Sequence, residues 1–199
     1  PNYTSKRKGA QPKMKIGIAG LPGQTVNYEA ALRYAALNWE TPVQIEVSLS
    51  PETALGWDAL LLPGGGDISP AFLPGCPPLD PACAPPDPAL DEKQLRLLES
   101  FVLSQKPVLG ICKGMQLIGL FFGAGFCQHL LQAPNHRCLK YDRLHPTQTA
   151  PGSFLRRLYG EFPVVNSAHH QGLLFPDQPA GAPDACRALR TKIAVIQKS

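Results

Sequence analysis

Charged residues are scarce in this chain. They make up 17% of its 199 residues, whereas apolar residues make up 44%. This composition excludes an intrinsically disordered protein and a long solvated helix, because both need many charges and few apolar side chains. The chain is long enough to enclose a hydrophobic core, and its 22 prolines and 18 glycines predict many turns.

Positive charge is not concentrated in the body of the chain. The formal net charge is +4, but four of the 19 basic residues and none of the 15 acidic residues lie within residues 1–13. The remaining body is neutral, so it offers no electrostatic footprint for a phosphate backbone, and we expect no nucleic-acid partner. We interpret residues 1–13 as a disordered basic lead or a cloning remnant, and residues 14–199 as a single α/β domain.

No apolar run is long enough to cross a bilayer, because glycines and polar residues interrupt the uncharged stretch from Gly114 to His136. Residues 1–14 also hold no apolar region of the kind that a secretory signal needs. We therefore expect a cytoplasmic protein with no membrane partner. In that compartment its six cysteines are predicted to be thiols rather than disulfides.

The cysteines and histidines show no metal-ligand spacing. The sequence has no CxxC motif. The group that comes nearest to a metal-binding cluster matches no compact zinc pattern; it comprises His129, His136, Cys138 and His145. We expect neither a metal nor a cofactor.

Short apolar segments alternate with stretches of helical spacing. Strands are predicted at 15–19, 43–47, 59–62 and 107–111, and helices after residues 25–27, after Pro88, after Gly114 and at 153–159 between the cap Ser153 and the stop Gly160. The proline-rich segment 70–88 predicts an exposed loop at a pocket rim, and residues 132–149 are predicted to be irregular. Apolar strands that alternate with helices predict a three-layer parallel sheet with helices on both faces, in flavodoxin-like order.

The sharpest motif is the run from Gly110 to Gly114, which is G-x-C-x-G between an apolar strand and a helical pattern. Glycines on both sides of Cys112 allow the sharp turn that presents a nucleophile at the carboxyl end of a sheet. The helix amino terminus stabilises a thiolate, and the Lys113 amide can donate to an oxyanion. The alternative interpretation is a buried structural cysteine between two packing glycines.

Two further elements support a site at the same edge of the sheet. The predicted strand 59–62 runs into the three glycines Gly64, Gly65 and Gly66, whose backbone amides can complete an oxyanion hole. A later apolar stretch runs into polar residues that predict a pocket lining, namely Asn166, Ser167, His169, His170 and Gln171.

In this order, the segments Leu62 to Pro70, Gly110 to Gln116 and Val165 to Gln171 resemble motifs of the class I glutamine amidotransferase-like superfamily. The resemblance is greatest to the gamma-glutamyl-gamma-aminobutyrate hydrolase branch. It implies a class I glutamine amidotransferase-like fold and hydrolysis of a small gamma-glutamyl amide through a thioester at Cys112. Assembly into a homodimer is compatible with this resemblance. It also implies that the amides of Gly65 and Lys113 hold the oxyanion. The implied substrate-binding residues are Gly64, Gly66, Gln116, Asn166, Ser167, His169, His170 and Gln171.

One part of the superfamily pattern is missing from the sequence. Members supply the general base from a downstream His-Pro-Glu motif, and no such motif follows Gln171. We therefore expect a truncated or altered carboxyl terminus and slow or absent hydrolysis, because acylation and deacylation both need a proton shuttle. The base itself is left unassigned.

Two other functions compete with this interpretation. The first is a cysteine α/β-hydrolase in which Asp142 and His169 complete a triad with Cys112, which needs no His-Pro-Glu motif. The second is a homologue that binds gamma-glutamyl compounds without turnover. A synthetase-coupled amidotransferase is less favoured, because no synthetase domain is fused to the sequence.

Overall fold

A computed structural model describes residues 13–131, 133, 143–174 and 194–196. Three features predicted from the sequence lie outside the described residues: the basic lead except Lys13, Asp142 of the alternative triad, and the altered carboxyl terminus apart from the strand at 194–196. They remain predictions.

The main sheet of the described residues has five parallel strands. In chain order these are β1 (Met14–Ala19), β2 (Val43–Ser48), β3 (Ala59–Leu62), β4 (Val108–Ile111) and, last in the chain, β9 (Ala194–Ile196). Their order across the sheet is β2-β1-β3-β4-β9. This is the flavodoxin-like order, in which ligands bind at the carboxyl ends of the strands, and it confirms the predicted fold class.

The helices of the described residues differ in their capping, since Thr25 makes no side-chain capping bond at the start of the first helix, whereas Ser153 caps the last. They are α1 (Val26–Ala36), α2 (Pro51–Ala54), α3 (Pro88–Leu103), α4 (Lys113–Phe121) and α5 (Phe154–Tyr159), with a 3-10 helix at Pro70–Phe72. The Ser153 hydroxyl accepts a hydrogen bond from the Arg156 amide at 3.1 Å, and Gly160 ends α5 with φ of 80°. Both predicted boundaries of this helix are confirmed. No helix in the described part of the chain combines the length and apolar character needed to span a bilayer.

Both faces of the central strand β3 are covered. Leu60 and Leu62 pack in one cluster with residues of α3, including Leu97, Leu98 and Phe101. Leu61 faces the opposite side, because side chains alternate along a strand, and it is also buried. A strand buried on both faces explains why 59–62 is continuously apolar.

Two small antiparallel pairs lie outside the main sheet. In one, β5 (Gly125–Cys127) pairs with β8 (Gly172–Leu174), and in the other, β6 (Arg143–Pro146) pairs with β7 (Val164–Ser167). The prediction of an irregular segment at 132–149 is wrong for residues 143–146. Their strand depends on pairing with a segment about 20 residues away, which local sequence patterns do not show.

Trp57 lies across β1 in the core. Its ring is fully buried, and its Nε1 donates a hydrogen bond to Glu46 Oε2 on β2 at 2.8 Å. A Cβ added at Gly17 would lie 1.7 Å from Trp57 Cε3. The Trp57 indole therefore occupies the space that a side chain at position 17 would need.

We predict that Gly17→Ala lowers the free energy of unfolding by about 1–3 kcal/mol, because the added methyl group displaces the indole. Gly56→Ala is the control, since its added Cβ meets nothing nearer than 3.8 Å. Urea unfolding followed by circular dichroism measures both. Equal stabilities of the two variants would contradict the role assigned to Gly17.

Candidate active site

Cys112 lies at the turn between β4 and α4 with a left-handed backbone. Its φ is 51° and its ψ is −112°, a conformation that non-glycine residues rarely adopt and that is concentrated at functional sites. Its carbonyl oxygen accepts the Gln116 amide at 3.0 Å, whereas its side chain makes no capping bond. The backbone of Cys112 therefore begins the helix, and its thiol does not cap it.

The two glycines that flank this turn are required by close packing. A Cβ added at Gly114 would lie 2.1 Å from the Leu62 carbonyl oxygen on β3. One added at Gly110 would lie 2.6 Å from the Gly114 carbonyl carbon. The turn predicted from G-x-C-x-G is confirmed, and glycine is needed at both positions because backbone atoms occupy the space of a side chain.

The three-glycine segment lies against this turn. A Cβ added at Gly64 would lie 3.2 Å from Cys112 Cβ, and one added at Gly65 would lie 3.3 Å from Lys113 Cδ. The Gly64 amide donates to the Tyr28 hydroxyl of α1 at 2.9 Å, whereas the Gly65 amide donates to no group among the described residues. The residues predicted to form an oxyanion hole are thus neighbours, and Tyr28, which the sequence indicated only as a helical residue, holds the loop.

Lys113 forms a buried ion pair with α3. Its side chain is 3% exposed, and its Nζ lies 2.5 Å from Oδ1 of Asp91, which is 0% exposed. The other Asp91 oxygen accepts the Ser69 amide at 2.8 Å. The Lys113 side chain is therefore held in the interior by Asp91, which leaves the backbone amide for the oxyanion role predicted from the sequence.

Two of the predicted substrate-binding residues, Gln116 and Gln171, are buried and form hydrogen bonds between separate segments of the chain. Gln116 and Gln171 are 4% and 3% exposed. The Gln116 side-chain amide donates to the Gln171 carbonyl at 3.1 Å, and Gln171 Oε1 accepts the Ile68 amide at 3.2 Å. These bonds connect α4, the loop after β3 and the segment after β7. Contact of either side chain with a substrate remains a prediction.

The other predicted pocket residues lie in β7, in the turn between β7 and β8, and in the three-glycine segment. Asn166 and Ser167 are in β7, where the Ser167 hydroxyl contacts Nε2 of His145. His169 Nδ1 lies 3.1 Å from the Gln171 carbonyl oxygen, and because a carbonyl only accepts, this nitrogen carries the proton. Gly66 is exposed and has open space where a side chain would begin.

His170 lies beside the proline-rich loop, and its Nε2 is 2.9 Å from Asp67 Oδ1. Cys76 in that loop is exposed, but Cys83 is half-buried and its Sγ accepts a hydrogen bond from the Gln171 side chain at 3.4 Å. The prediction of a wholly exposed loop is therefore wrong at Cys83. Burial raises the pKa of the Cys83 thiol; the Gln171 bond opposes this, and the Asp67 carboxylate adds to it.

The sequence profile described as Peptidase C26 matches residues 24–179. NtpR of Enterococcus hirae is 31% identical over 143 residues, which are 66% of this chain and 59% of NtpR. YvdE of Lactococcus lactis, whose name describes it as glutamine amidotransferase-like, is 32% identical over 57% of this chain and 50% of YvdE.

A solved structure has the same fold at low sequence identity. This protein of Thermoplasma acidophilum, described as a candidate GMP synthase component, has a TM-score of 0.52 and 20% identity over 82% of this chain and 69% of its own. The chain spans about half to three fifths of the length of the two curated relatives.

We predict that Asp91→Asn lowers the free energy of unfolding by about 3–5 kcal/mol, because it leaves the Lys113 charge buried without a counter-charge. Glu92→Gln is the matched control, since Glu92 pairs with Arg96 on the exposed surface of the same helix. We expect Glu92→Gln to lower the free energy of unfolding by less than about 0.5 kcal/mol. Urea unfolding measures both, and a similar small cost for Asp91→Asn would contradict a stabilising buried pair.

We predict that iodoacetamide alkylates Cys112 before Cys83 near neutral pH. The two thiols are both half-buried, but Cys112 lies at a helix amino terminus, which favours the thiolate, whereas the raised pKa of Cys83 keeps it protonated. Sub-stoichiometric labelling followed by peptide mapping gives the order. Faster labelling of Cys83 would show that the helix does not activate Cys112.

Proposed function

Because this chain belongs to the Peptidase C26 family, we propose that it cleaves amide bonds slowly through a thioester at Cys112, with a gamma-glutamyl group as the acyl part. The observation that carries this proposal is the left-handed backbone of Cys112 at the turn from β4 to α4. Strain of this kind persists where the surrounding structure enforces it, and here Gly110 and Gly114 allow the backbone to approach closely enough to do so.

The first chemical step forms the thioester. The Cys112 thiolate attacks the side-chain carbonyl carbon of the gamma-glutamyl amide, and the carbonyl oxygen becomes an oxyanion. When this intermediate collapses, the carbon–nitrogen bond breaks and the amine leaves with a proton from solvent, to which the thiol lost its own. In the second step water adds to the thioester carbonyl, and the carbon–sulfur bond breaks to release glutamate and restore the thiol.

Backbone amides stabilise the oxyanion in both steps. The Lys113 amide is at the first position of α4, where helical amides have no partner within the helix. The Gly65 amide is the second donor, and the packing of Gly65 against Lys113 supports this role. Donors fixed before the reaction stabilise developing charge without reorganisation, and the bonds to Tyr28 and Asp91 fix the two segments that carry them.

The gamma-glutamyl specificity rests on the resemblance of the three motifs and on the glutamine amidotransferase-like relative YvdE. The Peptidase C26 match also favours this proposal over an α/β-hydrolase triad.

A diazoketone analogue of glutamine tests the nucleophile separately from turnover. We predict that the Cys112 sulfur displaces dinitrogen from the analogue, forms one thioether, and does so faster with the L than with the D isomer. Cys112→Ala should abolish the mass increase. Cys127→Ala is the control, because this half-buried thiol lies in β5 and bonds the His129 carbonyl. Intact-mass spectrometry and peptide mapping give the site and the rate.

Two results would contradict the proposal. One is labelling of Cys112→Ala at the rate of the unsubstituted chain, which would place the reactive thiol elsewhere. The other is labelling of Cys112 without preference for the L isomer. It would show a reactive cysteine that has no pocket selective for the gamma-glutamyl group.

A further inference from the structure

Three side chains with metal-binding atoms meet outside the proposed thioester chemistry. Asp67, Cys83 and His170 each place one ligand atom within 4.8 Å of the others, and all three are half-buried. They come from separate parts of the chain: the loop after β3, the proline-rich loop, and the turn between β7 and β8. Amide hydrolysis through Cys112 requires neither a second thiol nor an Asp–His pair.

Each of the three side chains is oriented by a separate partner. Asp67 Oδ2 accepts the Ala84 amide at 2.7 Å, which leaves Oδ1 directed at His170. His170 Nδ1 lies 3.1 Å from Nδ1 of His129, which leaves Nε2 on the side of Asp67. Outer partners of this kind orient the ligands of metal sites and fix the histidine tautomer.

Cys83 is oriented in the same way. Its Sγ accepts a hydrogen bond from the Gln171 side chain at 3.4 Å and donates one to the Gln128 carbonyl at 3.4 Å. The bond from Gln171 stabilises a thiolate, whereas the bond to Gln128 requires the thiol proton. A cation at the sulfur would therefore replace the Gln128 bond and keep the Gln171 bond.

We propose that Asp67, Cys83 and His170 bind a zinc ion, with water in the fourth position. A thiolate, an imidazole and a carboxylate are ligand types that zinc takes, and three protein ligands with one open position are common for it. Ligand atoms about 2.0–2.3 Å from a tetrahedral ion lie about 3.3–3.8 Å apart, so atoms that lie within 4.8 Å of one another must approach by about 1 Å or less. The separation of 2.9 Å between His170 Nε2 and Asp67 Oδ1 opens by a few tenths of an ångström.

Zinc replaces protons in this arrangement. Without an ion, the contact between His170 Nε2 and the Asp67 carboxylate needs a proton on that nitrogen. With zinc bound, Nε2 of His170 offers its lone pair to the ion, and Nδ1 carries the proton and donates a hydrogen bond to Nδ1 of His129, whose own proton is then on Nε2. The Cys83 thiol proton passes to solvent. The proposal differs from the absence of metal expected from sequence spacing, because residues 67, 83 and 170 are too far apart along the chain to form a compact motif.

Metal binding to the full chain tests the proposal without any activity measurement. After removal of metal with a chelator, Zn²⁺ is titrated against a chromophoric chelator, and Co²⁺ is titrated as a spectroscopic probe. We expect one equivalent of each and a near-ultraviolet thiolate-to-cobalt band. Cys83→Ala should abolish the band, whereas Cys76→Ala, an exposed thiol of the same loop, should keep it. His129→Ala should weaken zinc binding by about 10- to 100-fold.

A second measurement uses the unsubstituted chain and does not depend on how the variants fold. Zn²⁺ should slow the alkylation of Cys83 by iodoacetamide and leave that of Cys76 unchanged, as read by peptide mapping. The proposal is overturned by the absence of a cobalt band, by a band that persists in folded Cys83→Ala, or by zinc that protects Cys112 instead of Cys83. None of these outcomes bears on whether Cys112 forms a thioester.

Discussion

The contact between the amino terminus of α4 and the backbone of β3 is the constraint on which the candidate active site depends. At Gly114 a side chain would begin 2.1 Å from the Leu62 carbonyl oxygen, so helix and strand touch backbone to backbone. For the chain to reach this contact directly from β4, Cys112 must take a left-handed backbone. The same contact places Cys112 at the amino terminus of α4, where the helix dipole stabilises negative charge.

Side chains around this contact fix the segments that would carry the oxyanion donors. Lys113 enters the interior and is neutralised by Asp91, which also accepts the Ser69 amide, so α3, α4 and the loop after β3 are held together. Tyr28 of α1 holds Gly64 in that loop beside Cys112. The positions of the Gly65 and Lys113 amides are therefore consequences of packing rather than of a flexible loop.

Much of the fold and the turn at Cys112 could be predicted from the sequence because their signals are local. The Cys112 turn and the Ser153 cap depend on residues within a few positions, and both are confirmed. The Asp91–Lys113 pair could not be predicted, because an aspartate in the first turn of a helix is ordinary until tertiary packing buries it. The strand at 143–146 and the Cys83 cluster depend on segments about 20 to 100 residues away, for which spacing along the chain carries no signal.

The most direct measurement is a crystal structure of the chain whose Cys112 has been alkylated by the diazoketone analogue of glutamine. The ketone oxygen of that adduct stands where the oxyanion would form. We expect this oxygen to accept hydrogen bonds from the Gly65 and Lys113 amides, at the distances usual for such bonds. An oxygen that points to solvent, or that is bound by other donors while those amides face elsewhere, would contradict the account.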